Sequence, residues 1–261
     1  MKKLIIPIFF SLLIFTQLNA QTVDEILANY FETIGQEKLL ETETFTTKGK
    51  IIQGQFEIPF TSHSKRPMKY RMDASFQGME IASAFDGEKG WNINPFAGET
   101  DPVPMTAEQL DKMKVEADYD GIYYNYEEKG YKVEFTGTED VDDIETYKLK
   151  LTRPNGDVVT SFIDSENYVV LKTASIIKVQ GVDTEAETIF SNYKYVDEIL
   201  SSFAIETKVN GETVVQMVFD EITYNVDFQD SIFDMPEVTA PVDSLSETQD
   251  DTAPVDSTDS E

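Results

Sequence analysis

The chain has 261 residues and a formal net charge of −28, with 49 Asp and Glu against 21 Lys and Arg, one histidine and no cysteine. So acidic a surface repels phosphate backbones and anionic headgroups, which excludes nucleic-acid binding. Without cysteine there is no disulfide framework and no thiolate chemistry, and a single histidine argues against a zinc site.

Lys2 and Lys3 precede an apolar run over residues 4–15, which ends in Leu18-Asn19-Ala20. This pattern reads as a secretory signal peptide over residues 1–20, cleaved after Ala20. The run is too short for a spanning helix, which needs about 20 apolar residues. No cysteine follows it, so the chain is not expected to be acylated itself. The expected location is periplasmic.

Residues 21–236 are expected to fold as one domain. Its first element is marked by Thr22-Val23-Asp24-Glu25, a capping box, followed by Val23, Ile26, Leu27, Tyr30, Phe31 and Ile34 at helical spacing. Gly35 stops that helix. From Thr44 to Asp86 the period falls to two. Phe56, Ile58 and Phe60 alternate with polar partners, as do Tyr70, Met72, Ala74 and Phe76, then Met79, Ile81 and Phe85 beyond the Gln77-Gly78 turn. Trp91 and Ile93 continue the alternation. These runs predict an antiparallel meander with one apolar face.

Pro95, Gly98, Pro102 and Pro104 then mark a break in the sheet. Thr106-Ala107-Glu108-Gln109 is a second capping box and opens a helix carrying Leu110, Met113 and Ala117. The segment with Tyr119, Tyr123, Tyr124 and Tyr126 reads as a loop or a further helical turn. Strands resume at about Lys132 and continue to about Asn225, with tight turns at Asn155-Gly156, Gln180-Gly181 and Asn210-Gly211. Strands without alternating helices exclude a doubly wound fold and predict one curved antiparallel sheet. Residues 237–261 are Asp, Glu, Ser, Thr and Pro in the main, with Ala240-Pro241-Val242-Asp243-Ser244 echoed from Ala253 to Ser257. They read as a disordered acidic tail.

No catalytic constellation is visible, and the expected class is not an enzyme. His63 lies between Ser62 and Ser64, but neighbours on a strand point to opposite faces, so no nucleophile–base pair forms there. The acidic run Glu139-Asp140-Val141-Asp142-Asp143 lacks the spacing of a calcium loop. No cofactor and no metal are implied. What remains is an apolar surplus. Phe56, Phe60, Tyr70, Met72, Phe76, Met79, Ile81, Phe85 and Trp91 would share one concave face if the strands pair in order. Either the helices seal that face as an ordinary core, or the sheet curves too far to be filled and a lined cavity remains under a movable helical lid. Met72, Met79 and Met113 suit the second arrangement, because flexible thioethers repack around variable apolar ligands.

Lys65-Arg66-Pro67 followed by Tyr70, then Asp86-Gly87, Trp91 and Asn94-Pro95-Phe96, resembles segments of the periplasmic lipoprotein carriers of the LolA/LolB-like family. The likeness is closer to the outer-membrane lipoprotein-sorting proteins of Bacteroidetes, and it spans residues 23–236, including Asp230-Ser231-Ile232-Phe233. The resemblance implies a mainly β fold with a few helices: an incomplete antiparallel barrel of about eleven strands with a helical lid. It implies a monomeric carrier of acyl chains, with lipidated protein or another acyl ligand as cargo, an inner-membrane transporter as donor and an outer-membrane acceptor. Arg66 matches an arginine that bonds lid backbone in the closed form, Tyr70 a cavity-mouth aromatic, and Trp91 and Phe96 later aromatic positions. With Met72, Phe76, Ile81 and Phe85 these make up the candidate ligand-binding set. The alternative is a non-catalytic sensor or protein-binding module of the same fold.

Overall fold

The computed structural model describes residues 21–237; the leader and the acidic tail from residue 238 lie outside the described residues. Two helices come first, α1 (Val23–Ile34) and α2 (Gln36–Leu40). Six strands come next: β1 (Thr44–Gln53), β2 (Phe56–Lys65), β3 (Lys69–Phe76), β4 (Met79–Phe85), β5 (Gly90–Asn94) and β6 (Glu99–Pro104). Helix α3 (Ala107–Glu116) separates these from β7 (Lys132–Val141), β8 (Ile144–Thr152), β9 (Val158–Asp164) and β10 (Val170–Val179). The last strands are β11 (Val182–Val196), β12 (Ile199–Val209) and β13 (Glu212–Tyr224).

All the strands form one 13-stranded sheet, in the order β6-β5-β4-β3-β2-β1-β13-β12-β11-β10-β9-β8-β7. Every neighbouring pair is antiparallel, and β1 with β13 closes the two meanders into one surface. The sheet is an open one, with β6 and β7 as its edges. It has two strands more than the expected eleven. One surplus strand is β6, where the proline-rich stretch had predicted a break. Pro95–Ala97 makes only one turn of 3-10 helix, and Pro102 and Pro104 sit on an edge strand, where a missing ladder N–H costs little.

Both capping boxes form as read. Thr22 and Glu25 exchange side-chain bonds with each other's backbone N–H at α1, and Thr106 with Gln109 does the same at α3. Gly35 ends α1 in the left-handed region (φ 73°) and at once starts α2, a helix for which the sequence carries no separate signal. A Cβ at Gly35 would lie 2.4 Å from the Glu198 carbonyl oxygen, so the α1–α2 corner rests directly on the β11–β12 turn.

Connections alternate between the two ends of an antiparallel meander, which sorts the molecule into two rims. The 53–56, 76–79, 94–99, 152–158, 179–182 and 209–212 turns lie at one end, and the three helices attach at the other. The helices cover the inner face at their own end. Ile26 and Leu27 of α1 pack on Leu149, Leu151 and Ile163, with Tyr123 beside them. Met113 and Ala117 of α3 pack on Phe85, with Met68, Tyr70, Met105 and Leu110 around them. Among the described residues no helix is long and apolar enough to cross a membrane.

Candidate functional site: an apolar trough and an arginine latch

Directly opposed residues on paired strands point to the same face. One inner row runs Ile81, Ala74, Phe60, Gly49 and Phe219 across β4, β3, β2, β1 and β13. A second runs Ile58, Ile51, Met217, Ile205 and Phe190 across β2, β1, β13, β12 and β11. Where β1 meets β13 the latter bulges at Asp220, opposite Lys48 and Gly49, and a Cβ at Gly49 would lie 2.2 Å from the Val218 carbonyl oxygen. Glycine there lets the rings of Phe60 and Phe219 meet edge-on, 5.8 Å apart. Ile58, Phe60 and Ala74 are buried at the floor, and Ile51, Met72, Phe76, Ile81, Met217 and Phe219 pack round them half-exposed. No helix residue belongs to this cluster. The result is an apolar trough on the inner face, beyond the reach of the lid.

The candidate set divides accordingly. Met72, Phe76 and Ile81 line the trough. Phe96 stands at its far rim, 63% exposed, its ring 6.0 Å from that of Phe76, which in turn meets Phe56 at 5.0 Å. Tyr70 and Phe85 face each other across β3 and β4, but beneath α3, and Phe85 is fully buried. They belong to the packed lid interface. The expected cavity under the helices is filled by such side chains, and the free apolar surface lies beside the helices.

Trp91 is not on the inner face at all. Phe85 pairs with Gly90, so Trp91 opposes Ala84, whose side chain points outward. The Asp86–Lys89 turn fixes this parity, and it reverses the face expected from the alternation. On the outer face Trp91 Nε1 donates to the Phe233 carbonyl at 3.0 Å, and the Arg71 guanidinium lies 5.3 Å from its ring. A strap after β13 makes that cover. Arg71 also donates to the Ile232 carbonyl, while Lys65 and Lys69 both clasp Asp230, at 2.5 and 2.7 Å. Phe228 of the strap packs on His63 at 5.3 Å. Burial lowers the pKa of His63, whose Nδ1 sits 3.0 Å from Thr46 Oγ1. Ser62 faces the other way and bonds Thr47 at 2.6 Å, so His63 and Ser62 make no dyad. Among the described residues no group of three or more His, Cys, Asp or Glu is placed to hold a metal ion.

Arg66 is a node between sheet and lid. Its Nε donates to the Thr42 carbonyl at 2.6 Å and its Nη2 to the Leu39 carbonyl at 3.0 Å, at and just past the C-terminal end of α2, where the Leu39 carbonyl also accepts from the Thr42 N–H and hydroxyl. Nη1 pairs with Asp120 at 2.7 Å, and the guanidinium lies 4.4 Å from the centre of the Tyr119 ring. Tyr119 and Thr42 share a hydroxyl–hydroxyl bond of 2.7 Å, and burial pushes the Tyr119 hydroxyl up to about 12. Gln36 at the start of α2 donates to the Asp120 carbonyl. One planar fork thus ties the β2–β3 turn to α2 and to the segment after α3.

Two surface clefts, of about 400 and 280 Å³, lie along β9–β11 and between β7, β10 and β12. The second includes Phe190, at the end of the second inner row, and neither contains Ile51, Met72 or Arg66.

A mainly β, open antiparallel sheet with a helical lid is the LolA-like fold, and solved structures share it. The chain is similar to a DUF1329 family protein from Desulfovibrio piger (13% identity, TM-score 0.56, 80% of this chain and 97% of that one). It is similar to a LolA superfamily protein from Nitrosomonas europaea (15%, 0.56, 82% and 98%) and to an outer membrane lipoprotein-sorting protein domain from Vibrio parahaemolyticus (12%, 0.56, 80% and 97%). No protein-family model and no curated protein matches the sequence.

Proposed function

We propose that the chain is a non-enzymatic periplasmic carrier that holds acyl chains in the inner trough and serves lipoprotein sorting to the outer membrane. The trough itself carries this reading: Ile51, Met72, Phe76, Ile81, Met217 and Phe219 form a continuous apolar strip left half-exposed beside a helical layer. Burying about ten methylenes there at about 0.8 kcal/mol each contributes about 8 kcal/mol, which matches micromolar binding. The likeness in fold to a LolA superfamily protein and to a lipoprotein-sorting domain supports the same reading. The sequence segments shared with the Bacteroidetes sorting proteins, and a leader cleaved after Ala20, complete it. Arg66 acts as the latch that sets how readily the helices leave the trough's edge.

The test is binding of a fluorescent long-chain fatty acid to residues 21–261, with native mass spectrometry of protein recovered from a secreting host. Saturable binding, weakened by about tenfold or more on Met72→Asp, is the expected result. Protein that emerges free of lipid and shows no saturable binding would overturn the proposal. It would leave a protein-binding module of the same fold.

A further inference from the structure

The end of the molecule opposite the helices differs from the rest in charge. Its turns at Gly54-Gln55, Gln77-Gly78, Pro95–Ala97, Gln180-Gly181 and Asn210-Gly211 carry no charged side chain, and the 153–157 turn pairs one base, Arg153, with one acid, Asp157. The turns at the helix end hold Asp86, Glu88, Asp142, Asp143, Glu166, Asp197 and Glu198 against Arg66 and Lys89. In a chain of net charge −28, turn tips of Gln, Asn and Gly are a local exception, with Glu57, Glu99 and Glu212 set back at the strand ends behind them.

One hairpin of that rim outreaches its neighbours. Strand β9 pairs with β10 no further than Val159–Ser175, and β12 pairs with β11 no further than Val209–Ala186. Residues 176–179 then pair with residues 182–185, and since the Glu185 carbonyl still accepts from the Asn210 N–H, the outer three pairs stand alone as a two-stranded ribbon. Three residue pairs extend it by about 10 Å. Ile176 and Val182 on it are each 65% exposed, and Ile177 and Val179 are exposed as well. Toward its tip the charges cancel, because Lys178 bonds Asp183, and Glu185 at its base is the one acid left over. Across the same rim stand the exposed rings of Phe56 and Phe96, at the mouth of the trough.

We infer that this rim docks on the surface of a phospholipid bilayer with zwitterionic headgroups, with the β10–β11 ribbon inserted to the acyl boundary. Interfacial elements bury apolar side chains about 5–10 Å deep, within the ribbon's reach. Phe rings and uncharged amide side chains suit the headgroup layer, where an acid would be repelled by any anionic lipid. The acid-rich helix end is then held away from the membrane, and the trough opens toward the lipid. The inference rests on the carrier reading only for what passes from trough to bilayer, since docking needs no cargo.

The chain has no cysteine, so a single introduced thiol reports one place. Residues 21–261 carrying Val182→Cys or Asp142→Cys would be labelled with an environment-sensitive fluorophore and mixed with cargo-free phosphatidylcholine vesicles. A blue shift at position 182 and none at 142 is the expected result. Co-sedimentation of the unlabelled protein should fall about tenfold or more in Ile176→Ser/Val179→Ser/Val182→Ser. That triple variant should keep fatty-acid binding in the absence of vesicles, since its residues lie outside the trough. No shift at 182, equal shifts at both positions, or sedimentation indifferent to the triple substitution would overturn the inference. Failure of fatty-acid binding alone would count against the carrier reading instead.

Discussion

Arg66 gathers three partners from two separate segments: the Leu39 and Thr42 carbonyls at the end of α2 and, as an ion pair, the Asp120 carboxylate. Its side chain is mostly buried, so these bonds are poorly replaced by water. Arg66→Leu should therefore cost about 2–4 kcal/mol. It should also loosen α2 and the 118–121 segment before the sheet, because Asp120 is left without its cation. Urea unfolding, with hydrogen exchange on α2, measures both effects; a cost within error and unchanged exchange would remove Arg66 from the role of latch. Arg66→Lys should recover only part, since a point charge cannot span two carbonyls and a carboxylate. The arginine was legible in the sequence through the Lys65-Arg66-Pro67 signature. Trp91 was not placed correctly, for a physical reason: period-two alternation gives a face within one strand, but the turn length decides how that face carries to the next. With Phe85 and Gly90 paired across the Asp86–Lys89 turn, Trp91 falls outward.

At the scale of elements, capping boxes and alternation were the legible signals, since each is local. Helix α2 was hidden because Gly35, a good stop signal for α1, is also the N-cap of α2. The strap was hidden because its partners are remote: Trp91, Arg71, Lys65 and Lys69 lie more than a hundred residues earlier in the chain. Its charge clamp is testable by pH. Lys65 and Lys69 hold the carboxyl of Asp230 down to about 2. A depressed carboxylate contributes stability that is fully present above its unfolded value near 4 and lost as pH falls through about 2. Trp91 is the single tryptophan and is capped by the strap, so its emission reports detachment. Emission should hold steady from pH 7 to about 4, then shift to the red toward about 2. Asp230→Asn should give a strap that loosens at lower urea at pH 7 and lacks that acid step. An unchanged acid step in the variant would assign the transition to other carboxylates.

Over the whole molecule, the two rims express one sequence property in opposite ways. Acids crowd the helix end, through Asp86, Glu88, Asp142, Asp143, Asp197 and Glu198 in the turns and Asp24, Glu25 and Glu37 at the helix starts. The helix-start acids gain from the helix dipoles, but together with the turns they repel one another across the lid. Surface pairs such as Lys48–Glu221 and Lys50–Glu57 pull the other way, and each contributes at most about 1 kcal/mol. With 49 acids against 21 bases, repulsion should dominate the response to salt. Raising salt from 0.01 to 0.15 M shortens the screening length from about 30 to about 8 Å, less than the span of the lid end. The melting temperature of residues 21–261 should therefore rise over that range, by roughly a few degrees, and more for the helical layer than for the sheet. Calorimetry, with far-ultraviolet circular dichroism for the helices, measures it. A melting temperature that falls with salt would mean that the ion pairs outweigh the repulsion. The acid-poor turns of the other rim would then be a matter of docking alone, with no counterpart in the stability of the lid.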